Sequence, residues 1–435
     1  MARFTVDLTP LRKNRNLRYL FISGIITRFG SALTMVALPF QIKELTNSYI
    51  AVGAMGAVQI IPLIIFALWG GVLADSVDRR KMVWRCEAGA LLFSATLLGN
   101  SLFHHPHLFV LYLAGAGFSA VDGLQGPSFT AMLPRLVDHE DLPTAMSLMS
   151  FRWQFSAIIG PALAGVIIAT SGVKTAYGID IATYIISVAM ILRISSIPPL
   201  KNGTTQSIKA MFGGLHYAAS RKDLMGTYII DLAAMFFAMP NALFPFWADQ
   251  VHSRWALGLF YSAGIIGSIF VTATSGWMKH FTKHGRAITI AAIGWGACIA
   301  LAGSSNSLWV ILLFLGLAGA SDQISALCRS NLWNQTIDDE FRGRLAGLEL
   351  LSYSVGPLAG QLRAGTTAAL TTLRTSVISG GLLCIGIVSF TAAKLPDFRR
   401  FDLLTNPYAI EQREKKSHQI NPLDPRQSDQ PDIEE

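Results

Sequence analysis

Charge is scarce in this chain. Of its 435 residues only 14% are Asp, Glu, Lys or Arg and 51% are hydrophobic, whereas soluble domains carry about 25% charged residues. A soluble chain of this length would form two or three domains with far more Lys, Glu and Asp on their surfaces. The composition therefore excludes an ordinary cytosolic enzyme, and with it a disordered chain, a collagen and a coiled coil. Cysteine is nearly missing as well. Cys86, Cys298, Cys328 and Cys384 lie far apart in apolar surroundings with no CxxC spacing, so neither a zinc site nor a disulfide framework is indicated. They read as small buried apolar residues. No Gly-Lys dipeptide occurs anywhere, which excludes a GxxxxGK phosphate loop. No catalytic constellation and no resident cofactor are expected. Acidic residues are outnumbered, 27 against 35 basic ones, for a net charge of +8. In a soluble protein that balance would suggest nucleic acid, but the placement of the charges leads elsewhere.

What the chain has is long apolar runs. A membrane-spanning helix needs about 20 mostly apolar residues. Twelve segments qualify, at approximately 20–42, 50–74, 82–103, 108–133, 145–170, 173–195, 224–249, 255–278, 286–303, 307–333, 344–369 and 373–394. They are too unbroken for the alternating strands of a barrel, and backbone groups in lipid must be satisfied within each segment, so they are expected to be helices. The apolar run after the basic N-terminus is too long for a signal peptide and reads as the first span. Lys and Arg crowd the N-terminal tail, the loops after even-numbered spans and the C-terminal tail, while the opposite side holds only Lys43, Lys174, Arg254 and Arg374. This bias predicts that both termini are cytoplasmic, and it explains the basic balance as topology, without nucleic acid as a partner. Trp84, Trp247, Trp255, Trp277, Trp309 and Trp333 near span ends read as interfacial anchors.

Residues 197–223 form the only long polar break, with a short cytoplasmic helix expected within it. They divide the chain into an N-terminal tail (1–19), a six-helix bundle (20–196), a linker (197–223), a second six-helix bundle (224–395) and a polar tail (396–435) whose composition predicts disorder. A weak repeat crosses the break. Gly160-Pro161-Ala162-Leu163-Ala164-Gly165 is echoed by Gly356-Pro357-Leu358-Ala359-Gly360, and Asp122 by Asp322. Two such halves related by an axis along the membrane normal are a known transporter plan, with the site between them near the midplane.

The loop after span 2 reads Gly70-Gly71-Val72-Leu73-Ala74-Asp75-Ser76-Val77-Asp78-Arg79-Arg80-Lys81. It resembles the GxLaDrxGRR signature of the major facilitator superfamily through Gly71, Leu73, Ala74, Asp75, Arg79 and Arg80, with Ser76 and Asp78 departing from it. The resemblance implies an all-α polytopic membrane protein of 12 transmembrane helices in two six-helix bundles. It also implies a conformational latch, in which Gly71, Asp75, Arg79 and Arg80 engage the start of span 11 around Arg344. The copy expected after span 8, from Gly276 to Arg286, lacks the Asp, so the latch is expected on one side. Span 5 resembles the family's antiporter motif, Gx8Gx3GPx2GG, through Ser147, Ser156, Gly160, Pro161, Ala164 and Gly165. Plain helix packing by small residues is the alternative reading. With Thr27-Arg28-Phe29-Gly30, Pro134-Arg135-Leu136-Val137 and Arg342-Gly343-Arg344, the stretch 10–396 is similar to the bacterial branch of enterobactin-type siderophore exporters and macrolide and multidrug efflux pumps.

Ionisable residues inside spans are costly and are functional candidates by default. Those singled out are Arg28, Asp122, Arg152, Asp180, Asp231, Asp322, Arg329, Glu349 and Arg363. At about 1.5 Å per residue, Asp122 and Asp322 fall near mid-membrane. Arg28 and Asp231 lie roughly 10–12 Å from the cytoplasmic ends of spans 1 and 7. The resemblance places spans 1, 4, 7 and 10 around a central cavity, so Arg28, Asp122, Asp231, Asp322 and Arg329 are expected on the substrate and proton pathway, and Arg152 of span 5 joins them as a cation that could attract an anionic catecholate or balance the Asp residues. Permanent ion pairing that only holds helices together is the competing reading for each. His104-His105-Pro106-His107 could suggest a metal site, but Pro106 breaks the helical spacing that would converge the imidazoles, and a solvated loop with no metal is expected.

The expected function is secondary export of a small amphipathic molecule across the bacterial inner membrane, with the proton gradient as energy source. A siderophore is the first candidate and a drug or macrolide the alternative. The expected partners are that substrate, the lipid bilayer and protons, with periplasmic or outer-membrane efflux components as a further possibility. A monomer is the expected state.

Overall fold

Local chemistry sets where each helix starts and turns. The computed structural model describes residues 8–198 and 216–420. α1 (Arg15–Thr46) starts at Asn14, whose side chain accepts the Leu17 N–H, and ends at Asn47 in a left-handed conformation with φ 45°. Asn is among the few non-glycine residues that adopt this conformation readily. α2 (Tyr49–Ser76) is capped by Ser48, and α3 (Arg79–Leu102) by Asp78, which accepts from the Lys81 N–H at 3.1 Å. α4 spans Leu108–Leu136. The helical stretch Leu142–Ile191 breaks at Gly172, whose φ of +77° an L side chain would resist. The break separates α5 (142–171) from α6 (173–191). α7 (Lys222–Phe237) is extended by the helical turn Phe244–Gln250 after Pro240. There follow α8 (Leu257–Ala273), α9 (His284–Ser304), α10 (Leu308–Thr336), α11 (Asp339–Leu370) and α12 (Leu373–Lys394).

Among the described residues, nine helices are long and apolar enough to cross a membrane. That count is lower than the twelve segments chosen on the sequence. α5 and α6 enter it as one helix, while α3 and α11 carry clustered charges near their starts, among them Arg79, Arg80, Arg85 and Glu87 in α3.

The helices form two six-helix bundles with one packing scheme. In the first, α2 packs on α4, α3 packs on α4, and both α1 and α3 pack on the Leu142–Ile191 stretch. In the second, α8 packs on α10, α9 on α10 and α12, and α7 on α11 and α12. Each pairing recurs six helices later. The bundles meet along α2–α11 and α5–α8, where glycines allow close approach. A Cβ on Gly53 would lie 2.7 Å from the Gln361 carbonyl oxygen, and one on Gly165 would lie 2.3 Å from the Gly258 nitrogen. These contacts lie near the starts of α2 and α8 and in the second halves of α5 and α11, toward the face opposite the chain termini. The same face holds a cluster of charges from both halves. Lys43 pairs with Glu44 at 2.7 Å and with Asp249, and Arg254 binds Asp249 at 2.8 Å. Among the described residues, the polar contacts at the terminus-bearing face instead run inside each bundle. The result is a cleft between the bundles, sealed at the far face.

Two expectations change. The tail from 396 was expected to be disordered, yet its described part is packed. Phe398, Phe401, Leu403 and Ala409 are buried, and α13 (Pro407–Ile420) crosses the end of the second bundle. There Asp338 accepts from Gln412 at 2.5 Å and from Lys415 at 3.0 Å. Burial raises the Asp338 pKa, but these two donors outweigh it and hold the carboxyl below its ordinary value. Tyr408 lies under the Arg221 guanidinium at 3.6 Å. Composition averaged the apolar residues of 398–409 with the polar end 421–435, which lies outside the described residues, as does 199–215 of the linker. Trp247 is not an interfacial anchor either. It is 2% exposed and stacks on Phe260 with ring centroids 5.9 Å apart.

Candidate functional site: the charged walls of the cleft

α4 and α10 show what faces the cleft. At about 100° per residue, Phe109 and Leu113 share one side of α4 and are exposed, as an apolar lipid-facing stripe would be. Asp122 and Gly126 lie on the opposite side and are exposed too, whereas Gly115 and Ser119, further along that inner side toward the far face, are buried. The inner side of α4 thus opens only toward the terminus-bearing face. α10 repeats the pattern with Trp309 and Leu313 outward, Asp322 half-buried inward and Leu315 and Gly319 buried. The two Asp residues occupy equivalent points on facing walls.

In the first bundle Arg28 of α1 is also exposed and stands in electrostatic reach of Asp122. Among the described residues neither side chain makes a hydrogen bond or an ion pair, so both remain available to a guest. Arg152 differs from the expectation that it lines the pathway. It is 5% exposed, lies over Gly24 of α1, donates to the Leu20 carbonyl at 3.2 Å and covers the Phe129 ring at 4.6 Å. Asp180 is fully buried and accepts from Ser94 at 2.6 Å and Thr34 at 2.5 Å, tying α6 to α3 and α1.

The second bundle is arranged differently. Asp231 of α7 and Arg329 of α10 form a direct, buried ion pair. The competing reading of these two charges, helix pairing, is therefore what the geometry displays, and Asp322 is the acid of this bundle on the cleft wall. Beside the pair, Trp333 donates to the Thr227 hydroxyl at 3.0 Å and stacks on Tyr228 at 5.2 Å. Arg363 donates to the Ser376 carbonyl, linking α11 to α12.

Of the latch residues, the side chains of Gly71, Asp75 and Arg344 lie outside the described residues, and so does that of Glu349. Arg79 donates to the Ala131 carbonyl at 3.2 Å and Arg80 to the Ile194 carbonyl at 2.8 Å. Both partners belong to the arginines' own bundle, so neither bond reaches across the cleft as the latch reading has it. Asp78, the departure from the signature, earns its place as the α3 cap. It also accepts from the Ser196 hydroxyl, which tethers the loop to the end of α6. Burial raises the Asp78 pKa, and the Ser196 and backbone donors more than offset this and hold it low.

The motif in α5 is a packing surface in this conformation. A Cβ on Gly160 would meet the Ala32 Cβ at 2.6 Å, and one on Gly258 would meet the Pro161 carbonyl oxygen at 1.9 Å. Gly160 thus seats α5 on α1, and Pro161 and Gly165 seat it on α8 of the other bundle. Ser156 is buried on the same helix. Gly258→Leu is expected to wedge α5 from α8 and open the far face. Cysteine-accessibility labelling at positions flanking the seam should rise several-fold there, and unchanged labelling would refute the seal.

Sequence reasoning missed Glu87. It lies nine residues into α3, is 2% exposed and accepts from the Thr27 hydroxyl and the Gln125 amide, each at 3.3 Å. The signal was present, an acid within the span 82–103, but it was hidden by the neighbouring basic loop. Among the described residues no group of three His, Cys, Asp or Glu side chains is placed to hold a metal ion.

Comparison with known proteins places this architecture. The model of the transmembrane secretion effector family matches residues 5–417. The chain is 26% identical over 402 residues to the enterobactin exporter EntS of Citrobacter koseri, covering 91% of this chain and 95% of that protein, and the figures are the same for EntS of Escherichia coli O157:H7. Among solved structures, it is similar to the nucleoside transporter NupG, with a TM-score of 0.67 at 14% identity over 88% of this chain and 98% of that one. A POT family transporter in complex with a thioalcohol-conjugated peptide gives a TM-score of 0.71 at 12% identity, over 88% and 96%. These two likenesses concern the fold.

Proposed function

The chain belongs to the transmembrane secretion effector family of the major facilitator superfamily, and from that premise we propose that it is a proton-coupled secondary exporter of a siderophore of the enterobactin type. The carrying observation is the pair Arg28 and Asp122, exposed on a cleft wall deep in the first bundle, with Asp322 at the equivalent point of the other wall. A carboxyl in a confined, low-dielectric cleft is suited to load and release protons. An unpaired guanidinium beside it offers a planar set of donors to an anionic catecholate. With the termini in the cytoplasm, as the Lys and Arg distribution supports, the cleft opens to the cytoplasm. That is the loading state of an exporter, and opening the far seam would release the cargo to the periplasm.

The test is metabolite profiling of a deletion strain grown without iron. The expected result is a catecholate siderophore depleted from the medium and accumulated in the cells. Unchanged siderophore together with raised sensitivity to macrolides or other drugs would overturn the substrate and assign the protein to drug efflux.

A further inference from the structure

Glu87 is not accounted for by the cleft. It sits one layer behind the wall, with the buried Ser187 hydroxyl of α6 beside it, and its two hydrogen-bond donors at 3.3 Å each join it to one member of the exposed pair. Thr27 immediately precedes Arg28 on α1, and Gln125 lies one helical turn after Asp122 on α4. Both donors are neutral and both bonds are long. Among the described residues no cation stands within ion-pair distance of Glu87. The charged and titratable groups around it are Arg152 of α5, Arg28 of α1, Asp122 of α4, Tyr184 and Asp180 of α6 and Cys86 of its own helix. Arg152 is only partly served, because it donates to the Leu20 carbonyl while its Nε is buried without a hydrogen-bond partner. A buried carboxylate that lacks a paired cation is costly, and the cost vanishes when it takes a proton.

We propose that Glu87 is a second proton-binding carboxyl of the first bundle, lying behind Asp122 and exchanging its proton with the cleft through the half-exposed Thr27 hydroxyl. The proposal rests on the proton-coupled reading above. On loading, a carboxylate oxygen of Glu87 takes a proton by way of Thr27 and becomes a donor. On release, the proton returns by the same hydroxyl to water in the cleft. Nothing is oxidised or reduced, and the only bonds made or broken are O–H bonds. Asp122 lies in electrostatic reach of Arg28 and Glu87 in reach of Arg152, so a proton gained or lost at either carboxyl changes the charge balance of the same bundle. A change in spacing between α1, α3 and α4 would be felt at both sites.

The test uses the full-length protein in liposomes and needs no substrate. Infrared difference spectra between alkaline and acidic pH should show carboxylic acid C=O bands for buried groups. Glu87→Gln, which preserves shape and hydrogen bonding, should remove one component, and Asp122→Asn should remove another. Thr27→Val should keep the Glu87 component but shift its position, a variant that remains informative if Glu87→Gln is poorly made. With enterobactin as the transport probe, Glu87→Gln should also change the pH profile of export, which a purely structural residue would not do. If Glu87→Gln leaves both the carboxyl bands and the pH profile unchanged, the inference is overturned while coupling through Asp122 survives. If the Glu87 component is lost but export ignores the proton gradient, Glu87 stands as a proton site and the proton-coupled reading of the function falls.

Discussion

Asp122→Asn is expected to abolish gradient-driven export while the protein still inserts and folds. The reason is position. Asp122 is exposed on the cleft wall and among the described residues makes no hydrogen bond or ion pair, so replacing its carboxylate with an amide breaks no internal contact. What is lost is the group that can change charge inside the cleft. Export driven by an imposed proton gradient in inverted vesicles should fall to background, whereas energy-independent counterflow of the same substrate should persist. Asp322→Asn, at the equivalent point of the second wall, tests whether the two carboxyls share the role. Full pH-dependent export in both variants would move coupling away from the facing walls.

The second large effect is on stability. Asp231→Ala is expected to destabilise the second bundle by about 3–5 kcal/mol, because it leaves the buried Arg329 guanidinium without its carboxylate. Replacing Asp231 with Val and Arg329 with Met should recover most of that loss, since apolar side chains close in size to each partner leave no uncompensated charge. Thermal unfolding of purified protein in detergent would measure both. A single variant as stable as the parent, or a double variant no better than the single, would show that the ion pair does not hold α7 to α10.

The contrast between these two acids shows how far the sequence could go. Both are Asp residues within apolar segments, and the sequence ranks them only by depth and repeat, favouring Asp122 near mid-membrane over Asp231 near the cytoplasmic end of span 7. Only the packed structure separates Asp231, which pairs directly with Arg329, from Asp122, which among the described residues makes no hydrogen bond or ion pair. The same holds for the arginines. Arg28 faces the cleft and Arg152 turns away to the Leu20 carbonyl, though the two look alike as single cations in the apolar runs of spans 1 and 5. Arg79 and Arg80 carry the loop signature in the sequence, whereas the structure places them in the first turn of α3 with bonds inside their own bundle. Glu87 escaped notice because a hydropathy reading of α3 is dominated by the basic residues at its start.

The sequence by itself determined the solvent, the helices and the repeat. Apolar runs of membrane-crossing length leave a chain with 14% charge no stable arrangement in water, and the loop signature with Gly160-Pro161 pointed to the superfamily to which the family match assigns it. These are local or summed properties, and each can be read from consecutive residues. The tertiary structure alone decided which intramembrane charges are paired and which stand free, which face of the cleft is sealed, and that 396–420 packs against the second bundle. Each of those depends on residues far apart in the chain, such as Asp231 with Arg329, Gly165 with Gly258 and Asp338 with Lys415. A helix's own periodicity says which residues share a side, but only its neighbours decide whether that side meets lipid, protein or water.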